Sequence, residues 1–180
     1  MTTALALPST EEEIWRYSRI NELDMSKFAS GKLTTTVEGG EGVQLTGAAA
    51  TALVGAGMHV QPDVFAQLNT DTPDVVALHI GKNKVHTQTV VITHSVDKSG
   101  VVAYPRLVID AAENSEIVVV ERFTSADNVH SLVVPVVEVH AAQSARVTYL
   151  AINELGKNTW QIGHQVAVGE RDSNVRLFTV

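Results

Sequence analysis

A chain of 180 residues with a formal net charge of −7 and no cysteine is long enough for one domain with a real core. It is closed to disulfides, thiolate metal sites and cysteine nucleophiles. The acidic balance argues against non-specific nucleic-acid binding, which needs clustered Lys and Arg against phosphate, and the longest apolar stretch, GAAATALVGAGM, is too short and too broken by glycine to span a bilayer.

The opening, MTTALALPSTEEE, has no basic segment before its short apolar run and does not read as a secretion signal. A helix is predicted next. Ser9 or Thr10 caps it, and Glu12 or Glu13 is the reciprocal partner three residues on. Acidic residues in the first turn suit the helix dipole, and Ile14, Trp15, Tyr17 and Ile20 supply apolar content. Residues 21–50 are rich in Gly and Thr, with one strand-like stretch, TTTVEGGEGVQLTG. Residues 48–60 read equally as a helix of small residues or as coil. QPDVFAQLNTDTPD predicts one or two helical turns with Val64, Phe65 and Leu68 on one side and Pro73 closing it.

From Val75 onward the apolar period becomes two. PRLVIDAAENSEIVVVE is a pair of apolar strands around a small polar corner, and PVVEVHAAQSARVTYLA and HQVAVGERDSNVRLFTV repeat the shape. VALHIGKNKVHTQTVVI is an earlier, looser copy. Ile80, Ile109, Val139 and Val168 end the first strand of each copy at near-constant intervals, and Ile117, Val147 and Val175 open the second. Such a period means stacked supersecondary units. Each corner of roughly six residues and each longer polar return link, such as RFTSADNVHS, closes one coil. The expected fold is therefore all-β, a right-handed parallel β-helix with a short helical N-terminal segment. Residues 1–74 form the N-terminal part and 75–180 the coils. Ile80, Ile109, Val139 and Val168 are expected to stack in one inward column. An antiparallel sandwich of hairpins is the alternative architecture.

No constellation identifies an enzyme. The seven histidines, His59, His79, His86, His94, His130, His140 and His164, show no HExxH pattern, and the reading is of structural, hydrogen-bonded or solvated side chains. Gly55 and Gly57 form only a GxG, without the Lys-Ser/Thr of a phosphate loop. Asp71 and Asp74 flank Pro73 as a turn and lack the alternating acids of a calcium loop. Ser131 and Ser144 have no nucleophile elbow. Glu113 and Glu116 share a corner, where both are expected ionised and solvated. No catalytic, cofactor-binding or metal-ligating residue is assigned.

Two stretches carry a resemblance. EEEIWRYSRINELDMSKF, with its acidic run, WRY and Leu-Asp-x-x-x-Phe, and PRLVIDAAENSEIVVVERF, with its Pro-Arg, strand, Glu-Asn-Ser corner and second strand, are similar to the SufB/SufD family, and the WRY favours the SufD-like branch. LHIGKNKVHTQTVVITH and VEVHAAQSARVTYLAIN resemble the coils on either side. The resemblance implies a right-handed parallel β-helix with helical ends. It also implies a non-catalytic scaffold subunit of a cytoplasmic machine that builds iron–sulfur clusters, partnered by SufB-like subunits and a SufC-like ATPase. Family members are longer, so the chain is expected to be an N-terminal portion. The family's cluster-building residues lie outside it, and no cofactor is assigned to this chain. Val175 and Leu177 have no later coil over them, so self-association through the open C-terminal β-helix end is expected. From other classes, a β-helix carbohydrate-active enzyme or a generic β-solenoid binding module are the alternatives.

Overall fold

The computed structural model describes residues 6–55, 63–71 and 74–180. Short strands that are apolar on alternate positions bury one face by stacking, and here they stack as coils. The first coil is β4 (Asp74–Ile80), β5 (Val90–Val96) and β6 (Val101–Ala103). The second is β7 (Pro105–Ala111), β8 (Glu116–Ser125) and β9 (Ser131–Val133). The third is β10 (Val136–Ala141), β11 (Arg146–Glu154) and β12 (Thr159–Gln161). β13 (His164–Gly169) and β14 (Asn174–Thr179) belong to a fourth. Equivalent strands pair in parallel and form three walls: β4-β7-β10-β13, β5-β8-β11-β14 and β6-β9-β12. This is a parallel β-helix.

Three strands that precede the coils extend the walls at the other end. β1 (Ala29–Ser30) joins β6 in parallel, whereas β2 (Thr34–Glu38) and β3 (Gln44–Leu45) pair antiparallel with β5 and β4. The strand-like TTTVEGGEGVQLTG is thus two strands joined by a turn, with Gly39 and Gly42 at positive φ.

Inward positions alternate along each strand. Leu78, Ile109 and Val139 are register neighbours in the first wall, as are Val119, Tyr149 and Leu177 in the second. Together with Ile92, Ile117 and Val147 they form the main core cluster. The expected column is right at Ile109 and Val139 and wrong at its ends. Ile80 stands beside Ala111, and Val168 stands beside His140, with Ala167 the register partner of Val139. A slip of one residue moves a side chain to the opposite face, so Val168 is not in the lumen.

Each corner turns on one residue in the left-handed region: Asn83, Asn114, Ser144 and Asp172, all with φ between 55° and 61°. Asn and Asp tolerate this conformation better than bulky residues do. The corners lock onto each other, since Asn83 N–H donates to the Glu113 carbonyl and Asn114 N–H to that of Gln143, both at 2.9 Å.

The N-terminal part covers two walls from outside. α1 (Gly47–Ala52) lays Ala50 against Ala77 and Val108. α2 (Val64–Asp71) buries Phe65 among Val102, Leu132 and Val134, with Asp63 Oδ1 capping the N–H groups of Phe65 and Ala66. The helix expected near Glu12 is instead three short 3₁₀ turns, Glu13–Trp15, Ile20–Glu22 and Met25–Lys27. Ser9 N–H does donate to Glu12 Oε1 at 3.1 Å, which is one half of the expected capping pair. A longer helix lacks support because Ile14 and Tyr17 are 87 % and 94 % exposed, and short helices need tertiary packing. No described helix is long and apolar enough to cross a membrane.

Candidate functional site

Three polar networks cross the coils, and each uses the stacking of equivalent strands to bring distant residues together. The first lies in the lumen. Inward alternation along β8 runs Ile117, Val119, Glu121, Phe123, so a carboxylate enters the core. Glu121 is held by His94 Nε2 at 2.9 Å and accepts a hydrogen bond from the Tyr149 hydroxyl at 2.5 Å. The other ring nitrogen of His94 meets Thr35 Oγ1 at 2.9 Å, and the ring stacks on Phe123 with centroids 5.0 Å apart. Burial, and then the adjacent Glu121 carboxylate, push the Tyr149 hydroxyl far above the usual phenol range. It is therefore a permanent donor and not a base or nucleophile.

The second network lies outside the first wall. Arg106 is 1 % exposed, and its Nε donates to Glu138 Oε1 at 2.6 Å. Its Nη1 donates to Asn69 Oδ1 at 3.0 Å and Thr70 Oγ1 at 3.1 Å. Glu138 also accepts from the Gly55 N–H, and Asn69 Nδ2 donates to the Pro105 and Val134 carbonyls. One buried ion pair thus ties α1 and α2 to the coils.

The third network is on the surface. Asp110 lies between two coils, accepting from His79 Nδ1 at 2.7 Å and from His140 Nδ1 at 2.9 Å, while His140 Nε2 lies 3.5 Å from Glu170. Parallel register places these three side chains in one outward row.

The remaining candidates scatter. His86 Nε2 bonds the Gly39 carbonyl, His130 is exposed, and His164 is half-buried. His59, Gly57 and Pro73 lie outside the described residues. Glu113 and Glu116 do not face each other, for Lys82 holds Glu113 at 2.6 Å and Arg146 lies 3.9 Å from Glu116. The Ser131 hydroxyl donates to the Lys98 carbonyl. No three His, Asp or Glu side chains among the described residues are placed to share a metal ion. A cavity of about 290 Å³ between the third and fourth coils is lined by Tyr149, Asn153, Gln165 and Thr179, among others, and Gln165 Nε2 donates to Thr179 Oγ1 across it. Every buried side-chain polar atom among the described residues has a hydrogen-bond partner.

Sequence reasoning missed Arg106–Glu138 and His94–Glu121–Tyr149. The available signal was a carboxylate at an inward position, flanked at two-residue spacing by Val119 and Phe123.

A family model described as SUF system FeS cluster assembly, SufBD core domain, matches residues 74–180. No curated protein and no solved structure matches the chain.

Proposed function

The chain belongs to the SufBD family of the SUF iron–sulfur cluster assembly system, and from that premise we propose that it is a non-catalytic scaffold subunit of SufD-like type. The observation that carries the reading is the coincidence of the family match, residues 74–180, with the stacked coils. The polar groups of the coils are engaged in holding coil to coil, which suits a rigid part of an assembly. The iron–sulfur cluster is then the cargo of the complete machine, and its other subunits, SufB-like and SufC-like, are the partners in the cytoplasm. In this reading residues 1–74 are the cap and 75–180 the scaffold. Among the described residues β13 and β14 carry a partner strand on one side, with Val175 and Leu177 half-buried, and in this reading that edge pairs with a second copy. No observation favours a carbohydrate-active enzyme, since Val118, Val120 and Leu150 occupy outward positions where a sugar groove needs polar groups.

Co-expression with a SufB-like and a SufC-like subunit tests the proposal. Co-elution with either is expected, and a chain that elutes alone in the presence of both rejects it. Light scattering at several concentrations tests the edge: a strict monomer with β14 amides protected from exchange rejects pairing there.

A further inference from the structure

The N-terminal end of the stack carries three strand edges. β1 and β3 are two residues long, whereas β2, with five, is long enough to pair a second time. β2 is the last strand of its wall and bonds β5 on one side. No backbone group of another described segment bonds its other side. We propose that this edge binds the same edge of a second copy, the two β2 strands running antiparallel about a two-fold axis at Thr35.

The sequence of the edge selects this occupant. Lys32 and Leu33 continue the alternation of β2: Lys32, Thr34, Thr36 and Glu38 are exposed, and Leu33, Thr35 and Val37 are half-buried. Successive side chains point to opposite faces of a strand, so the first set shares the outer face and the second the inner. Antiparallel pairing about Thr35 sets Lys32 opposite Glu38 of the second copy, Leu33 opposite Val37 and Thr34 opposite Thr36, and the two-fold repeats each pair. Opposite charges, apolar side chains and paired threonines are the cross-strand partners that stabilise a sheet. Parallel pairing in register would instead set Lys32 beside Lys32 and Glu38 beside Glu38. A slip of one residue would turn the lumen side of one copy to the outside of the other.

The groups this contact needs are available. Neither Lys32 nor Glu38 has an ion pair among the described residues. Asp97, the acid at the adjoining end of β5, accepts from Thr34 Oγ1 at 2.9 Å. Edge strands are commonly guarded by proline, a bulge or an inward-pointing charge. β2 has none of these: Thr35 and Val37 hold its inward positions, and its register with β5 is unbroken from Thr34 to Glu38. Because the two surfaces are the same, the contact is isologous and closes at two copies. It lies at the opposite end of the stack from β13 and β14 and rests neither on pairing there nor on the scaffold reading.

Charge exchange tests both the contact and its register. Lys32→Glu and Glu38→Lys each set like charges opposite each other twice. Each variant alone is expected to dimerise about tenfold more weakly than the wild type in sedimentation equilibrium at low salt. An equimolar mixture regains association, because every like pair becomes an opposite pair. The double variant Lys32→Glu/Glu38→Lys keeps the wild-type net charge and regains association by itself. Both side chains are exposed, and circular dichroism verifies that the variants fold. A monomeric wild type, an association indifferent to these charges, or single variants that neither mixing nor the double exchange rescues overturns the proposal.

Discussion

Val139 and Glu121 are both enclosed in the lumen, at 0 % and 1 % exposure, and they show what the interior tolerates. Glu121 has His94 and Tyr149 as partners. Val139 has only apolar register neighbours, Ile109 and Ala167. Val139→Asp places a carboxylate there with no partner and should cost about 3–5 kcal/mol, read as a lower melting temperature. An unchanged melt would contradict the lumen assignment. Tyr149 gives a prediction with a pH signature. Its folded-state pKa is raised, by burial and by Glu121. Below about pH 10 the hydroxyl is protonated in both folded and unfolded chains, and its full contribution is present. Above that, the unfolded chain loses the proton and the folded chain keeps it. Stability therefore falls as pH rises, by up to about 1.4 kcal/mol per unit. Tyr149→Phe should cost about 1–3 kcal/mol at neutral pH, by leaving a Glu121 oxygen short of a donor, and should flatten the alkaline limb. Tyr104, whose pKa burial also raises, retains a residual slope. Urea titrations from about pH 7 to about pH 11 compare the two proteins, and identical slopes would exclude Tyr149 as the source.

At the scale of the element, the strands were legible because alternation is a local property, whereas the register between them was not. Aligning copies on the last bulky apolar residue put Ile80 beside Ile109. The corners supply the true anchor. Counting back three residues from Asn83, Asn114, Ser144 and Asp172 gives Ile80, Ala111, Ala141 and Gly169, which are the register partners. Two of these are Ala and one is Gly, so hydrophobicity alone does not mark them. The N-terminal helix failed for a related reason: its cap chemistry was visible, but of its apolar residues Trp15 and Ile20 pack into the cluster around Phe65, whereas Ile14 and Tyr17 stay exposed. The buried networks were illegible because their members lie 27 to 83 residues apart. The motif Pro105–Arg106 was visible, its partner Glu138 was not. The pair predicts how α1 and α2 are held. Arg106→Met leaves Glu138 buried with its cation gone and should cost about 3–5 kcal/mol. Adding Glu138→Leu removes the stranded charge and should restore part of that loss. A double variant as unstable as the sum of both single changes would show that the two residues act independently.

In the whole molecule, each coil touches mainly the coils before and after it, so stability is distributed as a chain of nearest-neighbour contacts. The burial record shows the gradient. β7 and β10 have neighbours on both sides and bury nearly every position, whereas β13, paired on one side, alternates half-buried and exposed residues along its length. β4 and β5 carry β3 and β2 on their other side, so the N-terminal end of the stack is closed by antiparallel strands. Because the same register that stacks the lumen also stacks the outer rows, loosening one coil exposes both its core and its share of the surface networks. Opening should therefore begin at β13 and β14 and move toward the middle, in the manner of local unfolding units of unequal stability. Hydrogen exchange at low protein concentration should rank amide protection with β8 and β11 highest, β4 and β5 intermediate, and β14 lowest. Uniform protection across all coils would mean that the molecule opens as one cooperative unit, and the coil-by-coil account of its stability would have to be abandoned.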